Sequence, residues 1–266
     1  ISGNTWMAAF SLEPSDSDGA VAFAIWFSDL AVNAGTPVTS TTDGSSVTFD
    51  KTAPGAPTLV SPAYESSTND TTPFLDWSDS SGATSYQGYY DLDPSVSASD
   101  LSSSTTFTTN DSSYTPPSLA DGTYWWGVSA GDESGNWSLY FPTAKFTIDT
   151  TAPSMTSVSI APDNASITVT FSEAVFDTNG GSGALEGSDF VLSISGGTAT
   201  VGATPISISQ SGGQYTLTLD SLSSTADSNE VLTVVPATST AIYDAAGNAA
   251  STTQSNNTVS LNDTTP

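Results

Sequence analysis

Three similar junctions recur along this chain of 266 residues. They read FDKTAP from Phe49, IDTTAP from Ile148 and NDTTP from Asn262, and each follows a run of alternating apolar and polar residues. Successive junctions lie about 100 to 115 residues apart, which is the size of one β-sandwich domain. Such a repeat predicts a series of small β domains rather than one large core.

A second repeated element lies upstream of each junction. The pattern Asp-x-x-Gly-Asn occupies residues 132–136 and 244–248, and residues 29–33 carry a variant in which Val32 replaces the glycine. Glycine and asparagine in this spacing are typical of a tight turn between strands. We therefore divide the chain into a first unit (1–50), a second unit (51–150), a third unit (151–262) and the start of a further linker (263–266).

The first unit is too short to close a sandwich. It contains roughly three predicted strands, the clearest of which places Val21, Phe23, Ile25 and Phe27 on one face. A sandwich of the immunoglobulin (Ig) type needs about seven strands, so we expect the C-terminal half of one. Its front half is expected either upstream in a longer polypeptide or in a neighbouring chain, and the second arrangement would build a polymer.

The second unit resembles a fibronectin type III domain. The resemblance rests on Trp77 at the end of the run that begins at Phe74, on the strand around Tyr86, and on the corner from Leu119 to Tyr124. It implies that Trp77 and Tyr124 are core residues, together with Trp126 and Val128.

The third unit carries short alternating runs separated by glycine-rich turns, which predict a complete sandwich. Its Phe171-Ser-Glu173 segment, its Asp244-to-Asn248 turn and the Thr/Pro linkers resemble the bacterial Ig-like repeats of very large surface adhesins. The resemblance implies an elongated array of all-β sandwiches, Ig-like and fibronectin type III-like, that forms a stalk stiffened by calcium at its joints.

The charge of the chain limits its partners. Its formal net charge is −26, with 28 acidic residues, two lysines and no arginine or histidine. Binding to nucleic acid or to an anionic membrane surface requires basic residues, so we expect neither, and no apolar run has the length of a membrane span. Cations are the expected partners; the alternative is that the acidity only keeps a secreted protein soluble.

Strand direction predicts which acidic residues meet. In a seven-stranded sandwich the loop between the last two strands, the F–G loop, returns to the pole where the first strand begins. The F–G loop of each unit should therefore face the linker that enters it. At the first joint Asp50 is expected to meet Asp132 and Asp79, and at the second joint Asp149 is expected to meet Asp244 and Glu173.

Two or three carboxylates at one joint repel each other unless a cation binds between them. Calcium accepts six to eight oxygen ligands in flexible geometry, and carbonyls of Asn136 or Asn248 are candidates to complete the shell. Zinc prefers histidine or cysteine, and the sequence has neither. The alternative is that each aspartate caps its own turn without a metal. Lys51 follows Asp50 and partly neutralises the first site, so we favour the second joint.

Enzymatic chemistry has little basis in this sequence. Without histidine, cysteine or arginine, the chain lacks a histidine base, a thiol nucleophile and an arginine clamp. A pair of carboxylates acting on a glycosidic bond remains chemically open, but the candidates lie on short turns of small sandwiches, where deep clefts are not expected. We therefore expect no catalytic site. Trp125 and Trp137 leave a second possibility open, because exposed tryptophans stack on sugar rings, although partial burial is the simpler prediction for both.

These observations predict an extracellular structural or adhesive protein, a rod-forming segment of a bacterial surface adhesin, filament or coat. Its expected partners are flanking domains or neighbouring copies of the same protein. The alternative is a set of carbohydrate-binding accessory modules in a secreted protein that acts on polysaccharides.

Overall fold

The computed structural model describes residues 7, 9, 11–95, 104–139 and 144–263. Within these ranges the chain is all-β apart from one 3-10 turn, Gly187–Asp189, as predicted. No helix in this part of the chain is long and apolar enough to span a membrane. Of the predicted linker at 263–266, the residues from Thr264 onward lie outside the described ranges.

The first unit is a single antiparallel hairpin. Strand β1 (Gly19–Ala20) pairs with β2 (Thr48–Phe49), and isolated bridges join Ile25 to Val38 and Ser28 to Ala34 further along. The described residues form the two arms of one hairpin, and the prediction of roughly three strands also covers residues 1–6, 8 and 10, which lie outside the described ranges. The alternating run that contains Val21 to Phe27 forms one arm. The residues from Ala34 to Phe49 follow the turn and form the other arm.

The inward face of this hairpin remains exposed to solvent. Residues 18–33 correspond to residues 121–136 of the second unit, because both stretches run from an Asp-Gly pair to the asparagine of the F–G loop. Phe23 is 38% exposed and Ile25 is 54% exposed, whereas their counterparts Trp126 and Val128 are at most 1% exposed. The alternating pattern is therefore that of a sandwich core strand, but the described residues of the first unit supply no opposing sheet.

The second unit contains two sheets. The larger sheet is ordered β4-β10-β9-β6-β7 and the smaller one β3-β5-β8. The strands are β3 (Leu59–Ser61), β4 (Ser66–Thr68), β5 (Leu75–Trp77), β6 (Ser85–Asp91), β7 (Thr105–Thr109), β8 (Ser113–Tyr114), β9 (Gly122–Gly131) and β10 (Ala144–Ile148).

Aromatic residues fill the space between these two sheets. The predicted core residues Trp77, Tyr124, Trp126 and Val128 are all at most 7% exposed, and the rings of Trp77 and Trp126 lie 6.5 Å apart. Alternate residues of β9 point inward because the side chains of a strand alternate between its two faces. The Tyr124 hydroxyl donates a 3.1 Å hydrogen bond to the Ala120 carbonyl, which closes the corner before β9.

The third unit is also built from two sheets, ordered β11-β12-β15-β14 and β13-β16-β17. Residues Ile167, Val169 and Phe171 alternate along β12 and enter one continuous core with Phe190 and residues of β16. The strands are β11 (Met155–Ile160), β12 (Ser166–Phe171), β13 (Phe190–Ser195), β14 (Ser207–Ser211), β15 (Gln214–Thr218), β16 (Val231–Pro236) and β17 (Thr258–Ser260).

The carboxylate of Glu230 is fully buried in the third unit and anchors two loops. Glu230 accepts the backbone N–H of Asp227 through Oε2, and those of Thr198 and Ala199 through Oε1, at 3.1 to 3.2 Å. The hydrogen bond from Asp227 and those from the neighbouring N–H groups outweigh desolvation and hold the pKa of Glu230 at about 2. The ionised carboxylate therefore stabilises the folded state.

We expect the third unit to lose stability as the pH falls from about 4.3, the pKa of an unfolded glutamate, to about 2. Protonating Glu230 weakens the acceptors of these N–H groups. The measurement is hydrogen exchange of the Thr198 and Ala199 amides in the full chain at decreasing pH. In the Glu230→Gln variant these amides should exchange faster at neutral pH. Their protection should also change less as the pH falls, because the variant has no carboxylate to protonate at this position. Equal protection in both proteins at every pH contradicts this assignment.

Candidate functional site

The F–G loop recurs three times with the same hydrogen bonds. In each copy the aspartate carboxylate accepts both the backbone N–H and the side-chain amide of the asparagine four residues later. These distances are 2.9 and 2.9 Å for Asp29 and Asn33, 2.8 and 2.9 Å for Asp132 and Asn136, and 2.8 and 2.8 Å for Asp244 and Asn248. The carboxylate therefore fixes the orientation of the asparagine side chain.

The fourth position of the loop requires a left-handed backbone. The φ angles are 88° at Gly135 and 93° at Gly247, and Val32 takes 69° in the first copy. Glycine adopts this conformation freely, whereas a β-branched residue is strained there. The first loop keeps its shape despite Val32, so its Asp–Asn hydrogen bonds outweigh that strain.

The asparagine of each complete unit also binds the linker that enters the unit. The Asn136 amide donates to the Asp50 carbonyl at 3.1 Å, and the Asn248 amide donates to the Asp149 carbonyl at 2.8 Å. A carboxamide nitrogen has two hydrogens, so one reaches the loop aspartate and the other reaches the linker. The F–G loop is therefore a clamp on the linker backbone, and the sequence-based assignment of these asparagines as carbonyl donors to a metal did not include this role.

The unit before each linker holds it from the other side. Asp121 accepts the Thr150 N–H at 3.2 Å and the Thr150 hydroxyl at 2.9 Å. At the first joint Asp18 accepts the Lys51 N–H at 3.1 Å and the Thr52 hydroxyl. Sequence reasoning missed both aspartates. A signal was available, because each aspartate begins an Asp-Gly pair at the start of a strand. The two pairs lie 103 residues apart, at equivalent positions of the first and second units.

The linker aspartates also shape the linker itself. A carboxylate oxygen of Asp50 accepts the N–H of Thr52 at 3.0 Å, and Asp149 accepts that of Thr151 at 2.9 Å. This is the aspartate turn expected of such a residue. At the second joint the backbone N–H of Asn69 in the second unit also donates to the Ala246 carbonyl of the third, at 3.1 Å.

The second joint gathers three carboxylates. One oxygen each from Asp149, Glu173 and Asp244 lies within 4.8 Å of the other two. The linker supplies Asp149, the end of β12 supplies Glu173, and the F–G loop supplies Asp244, which is fully buried. Strand direction had predicted this proximity, and the all-oxygen donor set suits a hard divalent cation. Metal binding at this cluster stays a prediction.

Burial and charge both act on Glu173. Desolvation raises its pKa above the ordinary glutamate value, and the charges of Asp244 and Asp149 raise it further. By contrast, hydrogen bonds from Asn136 lower the pKa of Asp132 at the first joint. A bound cation or proton would therefore relieve the repulsion at Glu173.

The first joint does not repeat this cluster among the residues that the structure describes. Asp79 is exposed, and Asp50, Asp79 and Asp132 do not approach one another as the second set does. Asp79 and Glu173 are equivalent, because each follows a serine, Ser78 or Ser172, that hydrogen-bonds the start of the first strand.

Two sequence differences accompany the contrast between the joints. Aspartate is one methylene shorter than glutamate, so Asp79 reaches less far than Glu173. In addition, eight positions separate Asp50 from Thr58, but only five separate Asp149 from the equivalent Ser154. Asn136 holds the Asp50 carbonyl as Asn248 holds that of Asp149, so the extra residues of the first linker lie between Asp50 and the first strand of the second unit.

The two tryptophans predicted as possible ligand contacts lie along the outward face of β9. Trp125 is half-buried, as expected from its alternation with Trp126. Trp137 is 43% exposed and packs over Gly131, where an added Cβ would lie 2.8 Å from the indole ring. Trp137 therefore fills the space left by a glycine. Glycan binding at either residue stays a prediction.

Comparison with known proteins gives one family match, which covers the third unit. Residues 142–261 match the family model of the bacterial Ig-like domain. The match begins near the last strand of the second unit and covers less than half of the chain. The carboxylate cluster of the second joint lies wholly within this bacterial Ig-like match. No curated protein shows significant sequence similarity to the chain.

Solved structures give likenesses at low identity. The FN1–FN3 domains of chicken CNTN1 match at 13% identity and a TM-score of 0.35, over 87% of this chain and 74% of that one. A tetra-tandem repeat in the extending region of a large adhesion protein matches at 20% identity and a TM-score of 0.32. The match covers 93% of this chain and 58% of that one. An α-L-rhamnosidase from Streptomyces avermitilis matches at 13% identity and a TM-score of 0.29. The match covers 71% of this chain and 24% of that one.

We expect Asn248→Ala to loosen the joint between the second unit and the third. The substitution removes the hydrogen bond to the Asp149 carbonyl, worth about 1 kcal/mol. Residual dipolar couplings, which report the relative orientation of the two units, provide the measurement. Asn33→Ala is the matched control, because it removes the same bond within an F–G loop without touching either described linker. If the couplings are averaged to the same extent in both variants, Asn248 does not hold the linker and the clamp is contradicted.

Proposed function

We propose that this chain is a structural segment of an extracellular bacterial surface protein of the adhesin type, in which consecutive β-sandwich units are held at fixed angles. The observation that carries the proposal is the linker clamp. At both joints an asparagine of the following unit and an aspartate of the preceding unit bind the same short linker. Flanking units of the same protein are its partners.

The composition of the linkers supports this role. Proline fixes φ and lacks a backbone donor, so Pro54 and Pro153 restrict the chain immediately after each clamped segment. A protein that only tethered independent domains would gain nothing from hydrogen bonds on both sides of its linkers. A protein that holds surface-exposed modules away from the cell would gain reach from each joint that resists bending.

We further propose that the second joint binds Ca²⁺ through Asp149, Glu173 and Asp244. These residues bring three carboxylates together where one is fully buried, and a divalent cation offsets their mutual repulsion. Both oxygens of Asp244 already accept N–H groups of Asn248, which fixes their direction and leaves lone pairs for a metal. Bound Ca²⁺ would connect the linker, β12 and the F–G loop, and so fix the joint.

Glu173→Gln is the sharpest test of this metal site. Asp149 and Asp244 also hold the linker turn and the F–G loop, whereas Glu173 has no such part in the clamp. We expect Ca²⁺ affinity, measured by calorimetry on the full chain, to fall at least about tenfold, which corresponds to about 1.4 kcal/mol.

The matched control for this test is Asp79→Asn, the equivalent position of the first joint, which should leave Ca²⁺ affinity unchanged. A wild-type chain that binds no Ca²⁺, or equal binding by wild type and Glu173→Gln, rules out the proposed site. In either case the hydrogen-bonded clamps still support the structural role.

A further inference from the structure

The two linkers differ at the residue that follows their aspartate. Lys51 occupies this position in the first linker and Thr150 in the second. Their backbones are held alike, since each N–H donates to the equivalent aspartate of the preceding unit, at 3.1 Å to Asp18 and 3.2 Å to Asp121. Any difference between the joints at this point therefore comes from the side chains.

The Lys51 side chain folds back onto the first unit. Its ammonium donates to the Pro14 carbonyl at 2.8 Å and to the Asp16 carbonyl, and it lies 5.9 Å from the centroid of the Phe49 ring. Carbonyl oxygens and an aromatic face are both favourable surroundings for a cation. Lys51 therefore joins the linker to the turn that precedes β1.

The positive charge also acts on the aspartate that holds the linker. The Thr52 hydroxyl, the Lys51 N–H and the Lys51 charge together lower the pKa of Asp18. The chain has only one other basic side chain, Lys145, which pairs with Glu65 at 3.0 Å on the sheet of the second unit. The only basic side chain in either linker is thus at the first joint.

The second linker has the opposite arrangement. The hydroxyl of Thr150 donates to Asp121 at 2.9 Å, which adds a hydrogen bond but no charge. Three carboxylates gather on the far side of the same linker. The first joint thus has a fixed cation and no cluster of three carboxylates, while the second has that cluster and no fixed cation.

We infer that Lys51 is a built-in cation that fixes the first joint without a metal ion, whereas the second joint takes its positive charge from solution. The second part rests on the proposed function; the first part rests on the Lys51 contacts alone. The chain then has one permanent joint and one that calcium controls, so a change in calcium bends it at a single place.

Distances between spin labels test this inference directly. The chain has no cysteine, so pairs of introduced cysteines label it cleanly. Exposed positions Ser46 and Thr108 span the first joint, and Thr108 and Ser193 span the second. We expect the distance distribution across the first joint to have the same width in calcium and in chelator, and the one across the second joint to broaden in chelator.

Variants at the differing position provide matched controls. Lys51→Thr gives the first linker the residue of the second and should broaden the first distribution with or without calcium, while Lys51→Arg should keep it narrow. Near-UV circular dichroism checks that each variant is folded. Thr150→Lys is the reciprocal change. Pro117 stands where Pro14 does in the first unit, so its carbonyl offers an acceptor, and the second joint should broaden less in chelator.

Two results overturn the inference. One is a wild-type first joint that broadens in chelator, and the other is a Lys51→Thr variant whose first joint stays as narrow as that of wild type. If instead the second joint does not respond to calcium, the metal proposal fails while a broadened Lys51→Thr joint still supports the role of Lys51. The two failures are therefore distinguishable.

Discussion

The arrangement of this protein depends on one side-chain amide used twice. In each complete unit the asparagine of the F–G loop donates one hydrogen to its own aspartate and the other to the carbonyl of the incoming linker. The first bond orients the second, so the loop does not need to reorganise in order to hold the linker. The F–G loop lies at the pole where its unit begins. The same asparagine that closes the loop therefore also fixes the position of the linker that comes from the preceding unit.

The joints also have to accommodate an excess of negative charge. With a net charge of −26, each aspartate added to a joint increases repulsion between units, yet aspartate is the residue whose carboxylate can accept several linker N–H and O–H groups at once. The first joint offsets this repulsion with the ammonium of Lys51. The second joint places Glu173 beside two further carboxylates, where burial and charge raise its pKa. The same clamp is thus combined with two electrostatic environments.

The repeated loop also shows how local chemistry persists when the surrounding core changes. The first unit is a hairpin with exposed apolar residues such as Ile25 and Phe27, and its loop has Val32 where the others have glycine. Nevertheless Asp29 and Asn33 keep the same hydrogen bonds as their counterparts. The loop is therefore determined by its own aspartate and asparagine, and the sandwich core mainly determines what the loop faces.

Sequence reasoning was sufficient to predict the β class, the core positions Trp77 and Trp126, and the proximity of Asp149 to Glu173 and Asp244. Side-chain alternation and strand direction are local rules that propagate along a sheet, so they can be followed without the structure. The structure was needed to show that Asp79 stays out of a cluster and that Asp18 and Asp121 bind the linkers. These contacts depend on side-chain length and on how neighbouring units pack against the linker. The repeated Asp-Gly pair marked Asp18 and Asp121 in the sequence, but it did not indicate which groups they bind.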